Sequence, residues 1–137
     1  MSIGFVLDAS TTLSWAFVDE NDDYADAVLG VLADGFAIVP ALWPLEVANG
    51  LVIALRKSRV SQEEVDAFLS DLSTLDIRTE HTTSDVGQAL AHALETGLTT
   101  YDAAYLSLAR ELFLPLATND IRMRQSAAHA GVSLLAA

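Results

Sequence analysis

Apolar positions along this chain fall into two patterns. Short apolar runs at 3–7, 36–39, 75–77, 114–117 and 132–134 have the length and composition of buried β-strands. Longer segments between them carry apolar residues at helical spacing, several with clear punctuation. Ser61 stands before Glu63 and Glu64, as an N-cap ahead of acidic first-turn residues. Ser84 and Asp85 precede a run from Val86 to Glu95 that stops at Gly97, and Thr99 or Thr100 can cap the next helix, over 101–113. In the segment 42–57, Leu45, Ala48, Val52 and Leu55 form an apolar stripe that predicts the buried face of a helix. Trp15, Phe17, Trp43, Phe68, Tyr105 and Phe113 lie among apolar neighbours and are expected in the core or a dimer interface.

Strands that alternate with helices need crossover connections, so the pattern predicts an α/β fold, a five-stranded, mainly parallel sheet with helices on both faces. Such sheets bind ligands beyond the carboxyl ends of their strands, where the strand order reverses. The 137 residues contain no linker or repeat, and one domain spanning 1–137 is expected.

Composition narrows the chemistry. No cysteine is present, which excludes disulfides, zinc-thiolate sites and thiol nucleophiles. Although 52% of residues are hydrophobic, no apolar run approaches the ~20 residues of a membrane span, and no secretory signal is visible, so a cytoplasmic protein is expected. The formal charge of -12 disfavours nucleic-acid binding by bulk electrostatics and favours cations and basic partners.

Four acids stand where a parallel sheet would expose ligands. Asp8 directly follows the first strand, with Ser10 two residues on. Asp120 follows the fourth after Thr118 and Asn119. Glu46 lies in the 42–57 helix, with Asn49 one turn later on the same side. Asp102 sits in a helix otherwise apolar enough to be buried. An isolated buried carboxylate costs several kcal/mol, and with only 7 basic residues in the chain a divalent cation is the economical partner for all four acids. Magnesium and manganese suit oxygen ligands, and magnesium typically retains waters while held by one or two carboxylates. Arg122 and Arg124, just past Asp120, are placed to meet flanking phosphates.

Each acid also has a purely structural reading: Asp8 and Asp120 as helix N-caps, Asp102 as a first-turn acid beside a helix dipole. Ser10, Asn49 and Thr118 suit turns or caps as well as supporting roles. Asp22, Asp23 and Asp26 lack the spacing and glycine of a calcium loop and predict a solvated helix start. Arg56, Lys57 and Arg59 suit the end of the Glu46 helix. His81, His92 and His129 show no metal-ligand spacing and are expected at the surface.

Four ordered segments, Val6-Leu7-Asp8-Ala9-Ser10, Pro44-Leu45-Glu46-Val47-Ala48-Asn49, Tyr101-Asp102-Ala103-Ala104-Tyr105 and Ala117-Thr118-Asn119-Asp120, together resemble the motifs of PIN-domain ribonucleases, most closely their VapC-type toxins. The resemblance implies a PIN-like three-layer sandwich with a five-stranded parallel sheet. It also implies a homodimeric, Mg2+- or Mn2+-dependent endoribonuclease, silenced by a small VapB-type antitoxin over the acidic site. Carried over, Asp8, Glu46, Asp102 and Asp120 would be the catalytic, metal-binding acids, and Ser10, Asn49 and Thr118 their supports. Two other functions compete: a catalytically silent PIN-fold interaction protein, and a magnesium-binding phosphoacceptor receiver. The receiver lacks an adjacent acid pair after the first strand and a lysine after a late strand, since the sole lysine, Lys57, lies in a helix.

Overall fold

The computed structural model describes residues 3–81 and 84–136. In chain order it contains β1 (Gly4–Leu7), α1 (Ala9–Ser14), α2 (Asp23–Asp34), β2 (Phe36–Pro40), α3 (Trp43–Arg56), α4 (Gln62–Leu72), β3 (Ile77–Glu80), α5 (Val86–Thr96), α6 (Thr100–Leu112), β4 (Leu116–Ala117) and α7 (Ile121–Ala130). The strands form one parallel sheet in the order β3-β2-β1-β4, flanked by helices. Val6 pairs with Ile38 on one side and Leu116 on the other, and Phe5, Val6 and Leu7 are wholly excluded from solvent. A strand covered on both faces has no polar side to alternate with, which is why β1 reads as an unbroken apolar run. Helix α6 packs over β1, β2 and β4, and α2 packs against β2.

The chain steps outward from β1 to β2 to β3, then returns to the other side of β1 for β4. The strand order therefore reverses between β1 and β4, and the crevice beyond their carboxyl ends is the ligand position such sheets offer. Asp8 and Thr118 each directly follow one of these two strands.

Three expectations are corrected. The sheet has four strands rather than five. The 132–134 segment makes only an isolated parallel bridge, Leu116 with Leu134, because β4 is two residues long and only Leu116 presents its outer edge there. The third strand lies at Ile77–Glu80, not 75–77. As the edge strand it pairs only with β2, and its Arg78, Thr79 and Glu80 are exposed, so it carries no apolar signature. The buried stripe of α3 is Trp43, Val47, Leu51 and Ala54, leaving Leu45 and Val52 in solvent. Phe113 is 95% exposed, outside the core, which leaves the interface of its two expected placements.

The punctuation signals hold. Ser61 and Asp85 each cap a helix with a reciprocal capping box, to Glu64 and Gln88, and Thr99 caps α6. Gly97 ends α5 with φ of 73°, a left-handed conformation that suits glycine. Gly50 is required by packing: a Cβ there would collide with the Leu13 side chain, so its absence lets α3 settle against α1. Trp43 Nε1 donates to Thr12 Oγ1 at 3.2 Å, and Thr12 Oγ1 donates to the Asp8 carbonyl at 2.9 Å, locking the two helix starts together.

Candidate active site

Asp8 is 3% exposed and held by three donors. Its Oδ1 accepts from the Thr11 backbone N–H at 2.8 Å, capping α1. Its Oδ2 accepts from Ser10 Oγ at 2.9 Å and Thr118 Oγ1 at 2.5 Å. The structural reading of Asp8 as an N-cap is thus correct, and it uses only one of the two oxygens. Burial pushes the Asp8 carboxyl above its ordinary range, against the opposing pull of Thr11, Thr118 and Ser10.

Thr118 is fully buried at the end of β4. While its hydroxyl donates to Asp8, its Oγ1 accepts the Asp120 backbone N–H at 3.1 Å. One hydroxyl thereby couples the acids of β1 and β4. Asp120 caps α7 through Met123 N–H at 2.9 Å and is itself exposed. Arg124 donates from Nε to the Thr118 carbonyl at 2.8 Å and lies over the Tyr24 ring at 4.6 Å, so it braces this corner.

Glu46 and Asp102 approach from helix first turns. Glu46, partly buried on α3, accepts from the Tyr105 hydroxyl on α6 at 2.6 Å. Asp102 is partly buried on α6, where its backbone N–H donates to Thr99 Oγ1 at 3.1 Å. Burial raises the carboxyls of both. Repulsion from Asp102 and Asp8 raises Glu46 further, and repulsion from Asp120 and Asp8 does the same for Asp102. Opposing these, the Tyr105 hydrogen bond lowers Glu46, and Thr99 and the Arg122 charge lower Asp102. The four acids therefore share one electrostatic environment. Arg122 is exposed and directs its charge at Asp102, and among the described residues none of the four forms an ion pair.

Ser10 and Thr118 thus support Asp8 directly. Asn49 lies exposed one turn beyond Glu46 on α3. Tyr105 is the site residue that sequence reasoning placed only in the core or an interface. Its signal was present in its spacing, three residues after Asp102 and so on the same side of α6. Asp22, expected at a solvated helix start, does cap α2, and its Oδ2 accepts from Asn119 Nδ2 at 3.2 Å, which brings it to the rim of the same crevice.

The donor set suits a hard divalent cation. It is all oxygen, net negative and under mutual repulsion that a cation would relieve. Among the described residues no three acids or histidines stand close enough to enclose a metal by themselves. The fit is therefore to an ion held by one or two carboxylates, with water or substrate oxygens in its other positions.

A short parallel α/β sheet with acids gathered at its topological switch point defines the class: an α/β domain with an oxygen-donor site at the carboxyl edge. The model of the PIN domain family matches residues 5–128, and the chain belongs to that family. PIN domains are in general a nuclease fold, typically dependent on Mg2+ or Mn2+. Among solved structures, the chain is similar to PAE2754 from Pyrobaculum aerophilum, with 22% identity and a TM-score of 0.68, covering 92% of this chain and 86% of that one. It also matches a PilT N-terminus domain protein, SSO1118 from Sulfolobus solfataricus P2, with 17% identity and a TM-score of 0.48 over 97% of this chain and 86% of that one. No curated protein matches significantly. No helix among the described residues is long and apolar enough to cross a membrane.

Proposed function

We propose that this chain is a VapC-type toxin, a metal-dependent endoribonuclease that hydrolyses RNA phosphodiester bonds at Asp8, Glu46, Asp102 and Asp120. The observation that carries this reading is the convergence of four carboxylates at the switch point, three of them with raised carboxyls and none ion-paired among the described residues. Bound there, Mg2+ or Mn2+ would neutralise charge on the scissile phosphate and make a water molecule more acidic.

The chain's own residues supply position and charge. Ser10, Thr11 and Thr118 fix both oxygens of Asp8, so a cation meets a carboxylate that needs little reorganisation. Tyr105 holds Glu46 Oε1 and orients the remaining oxygen for the cluster. Arg122 is the cation placed to meet a flanking phosphate, with Arg124 behind it as the brace of Thr118. Asn49, exposed one turn after Glu46, would supply a further polar group there.

The charge of -12 gives the protein a weak hold on RNA until a cation fills the crevice, and an attractive field for a basic VapB-type antitoxin segment. Solvent-exposed apolar side chains on α3 (Leu45, Val52, Ile53) and α5 (Val86, Leu90, Leu94) support a homodimer. The cytoplasm is the compartment where such a pair would act. The test is cleavage of total RNA by the purified chain with Mg2+ or Mn2+, with excess chelator, and with Asp8→Asn, alongside growth on expression without an antitoxin. Metal-dependent cleavage and toxicity, both lost in Asp8→Asn, are expected. Undiminished cleavage in chelator would sink the metal mechanism, and harmless expression would sink the toxin reading.

A further inference from the structure

A second recess opens along the same edge of the sheet. A cavity of about 500 Å3 lies beyond the carboxyl ends of β2 and β3, between α5 and α6. Its floor is apolar, with Leu42, Ala89 and Leu108. Its polar lining includes two carboxylates, Glu80 at the end of β3 and Glu111 on α6, with His81, Ser84 and Thr100, and the pair His92 and Ser107, whose Nδ1 and Oγ lie 2.5 Å apart. That pair ties α5 to α6 and fixes the wall, so His92 is a partly buried structural residue rather than the expected surface one. Tyr101, 63% exposed, stands at the lip.

The cavity and the acid cluster are neighbours separated by the first turns of α6. Thr100, Ala104, Ser107 and Glu111 recur at helical spacing and line the cavity, whereas Asp102 and Tyr105 lie on the opposite flank, towards Glu46. Asp8 follows β1, and Pro40 and Glu80 end β2 and β3, so the recess lies one to two strand spacings from Asp8, about 5–10 Å along the edge. That is the reach from a phosphate to a base of an adjoining nucleotide.

The chemistry of the lining selects which part of a nucleotide enters. Two carboxylates repel phosphate, whereas an apolar floor and an aromatic lip suit an unstacked base. A carboxylate best accepts two N–H donors side by side. Guanine presents such a pair, N1–H and the N2 amino group, on its Watson–Crick edge. Adenine and cytosine each set an acceptor beside their amino group, and uracil flanks one N–H with two acceptors. We propose that this cavity receives a guanine base of the RNA strand whose neighbouring phosphate lies at the acid cluster, with one lining carboxylate, Glu80 or Glu111, accepting its N1–H and N2 amino donors side by side. The proposal rests on the ribonuclease reading for its substrate, while the site itself can be tested without cleavage.

The experiment is titration of the 15N-labelled full chain, free of divalent ions, with each of the four ribonucleoside 5′-monophosphates. Saturable shifts at the amides of Tyr101, Ser107 and Leu108 are expected with the guanosine nucleotide, at an affinity at least about tenfold above the other three. Glu80→Gln combined with Glu111→Gln, both at exposed positions that leave the fold intact, is expected to weaken that binding by about tenfold or more. Equal responses to all four nucleotides, shifts centred on Asp8 instead, or undiminished binding in the double variant would overturn the guanine site, even in a protein that cleaves RNA. Guanosine-selective shifts at the cavity in a protein that cleaves no RNA would support the site and sink the ribonuclease reading alone.

Discussion

The Tyr105 hydroxyl donates to Glu46 Oε1 at 2.6 Å, joining the second turn of α6 to the first turn of α3 between residues 59 apart in sequence. Tyr105 is 1% exposed, so its ring is fixed by the core and its hydroxyl holds the carboxylate from a rigid base. Burial, followed by the hydrogen bond to Glu46 and then its negative charge, drives the Tyr105 phenol far above its ordinary range, so it remains a donor. Tyr105→Phe keeps the packing and removes the donor. Because Glu46 is partly exposed, water can replace the lost bond, and the stability cost should be about 1 kcal/mol. The metal concentration needed for half-maximal cleavage should rise about 10- to 100-fold. A metal titration of the cleavage rate checks this, and an unchanged midpoint would leave Tyr105 a packing residue only.

Thr118 makes a sharper test of packing against bonding. Thr118→Val leaves Asp8 Oδ2 short of one donor and the Asp120 N–H without its acceptor, in a position with no solvent access. It should cost about 2–3 kcal/mol in urea unfolding. Thr118→Ser keeps the hydroxyl, loses one methyl, and should cost about 1 kcal/mol. Similar losses for the two variants would show that the methyl, not the hydroxyl, matters.

Asp8→Asn should separate stability from activity. Asparagine caps helices as well as aspartate does, and the neutral side chain escapes the burial that raises the Asp8 carboxyl. Thermal unfolding in chelator should show a midpoint within a few degrees of wild type, because relief of the buried charge offsets the loss of the Oδ2 acceptor to the Ser10 and Thr118 hydroxyls. Cleavage should fall by roughly 10³-fold or more, the scale of losing a charge that stabilises the transition state. A large drop in the midpoint would show that the carboxylate serves the fold first.

The pH dependence of the metal-free protein follows from the same groups. Asp8, Glu46 and Asp102 all have raised carboxyls, chiefly through burial. Between the ordinary carboxylate range and their folded values, the native state binds more protons than the unfolded state, so stability falls as pH rises through that window. The contribution is fully present below the ordinary value and lost above the raised one. Asp76, lowered by its hydrogen bonds from Arg78, works in the opposite sense and only at more acid pH. Thermal midpoints in chelator should therefore rise as the pH is lowered from neutrality towards the ordinary carboxylate range, and saturating Mn2+ should flatten the trend. A midpoint that falls across this window would contradict the buried, mutually repelling cluster.

Much of the fold was legible because its signals are local. Caps at Ser61, Asp85 and Thr99 and the stop at Gly97 depend on backbone groups within a few residues, and they appear as read. The third strand was misplaced because an edge strand exposed to water has no reason to be apolar. The 132–134 run was overcounted because an apolar segment becomes a strand only if a neighbour offers an edge to pair with, and β4 offers one residue. On α3 two apolar stripes compete, and only packing against α1, through Gly50 and Leu13, decides which is buried.

The sequence by itself determined the family and the alternation of strands and helices in an α/β fold, and it singled out the four acids as candidates, since each depends on residue type and spacing along the chain. Tertiary structure decided the rest. Only the reversal of strand order beside β1 brings Asp8 and Thr118 within one hydrogen bond across 110 residues. Only the seating of α6 over β1 and β2 turns Tyr105 from a core aromatic into the holder of Glu46. Burial and mutual charge are properties of an enclosed space, and no linear spacing encodes them.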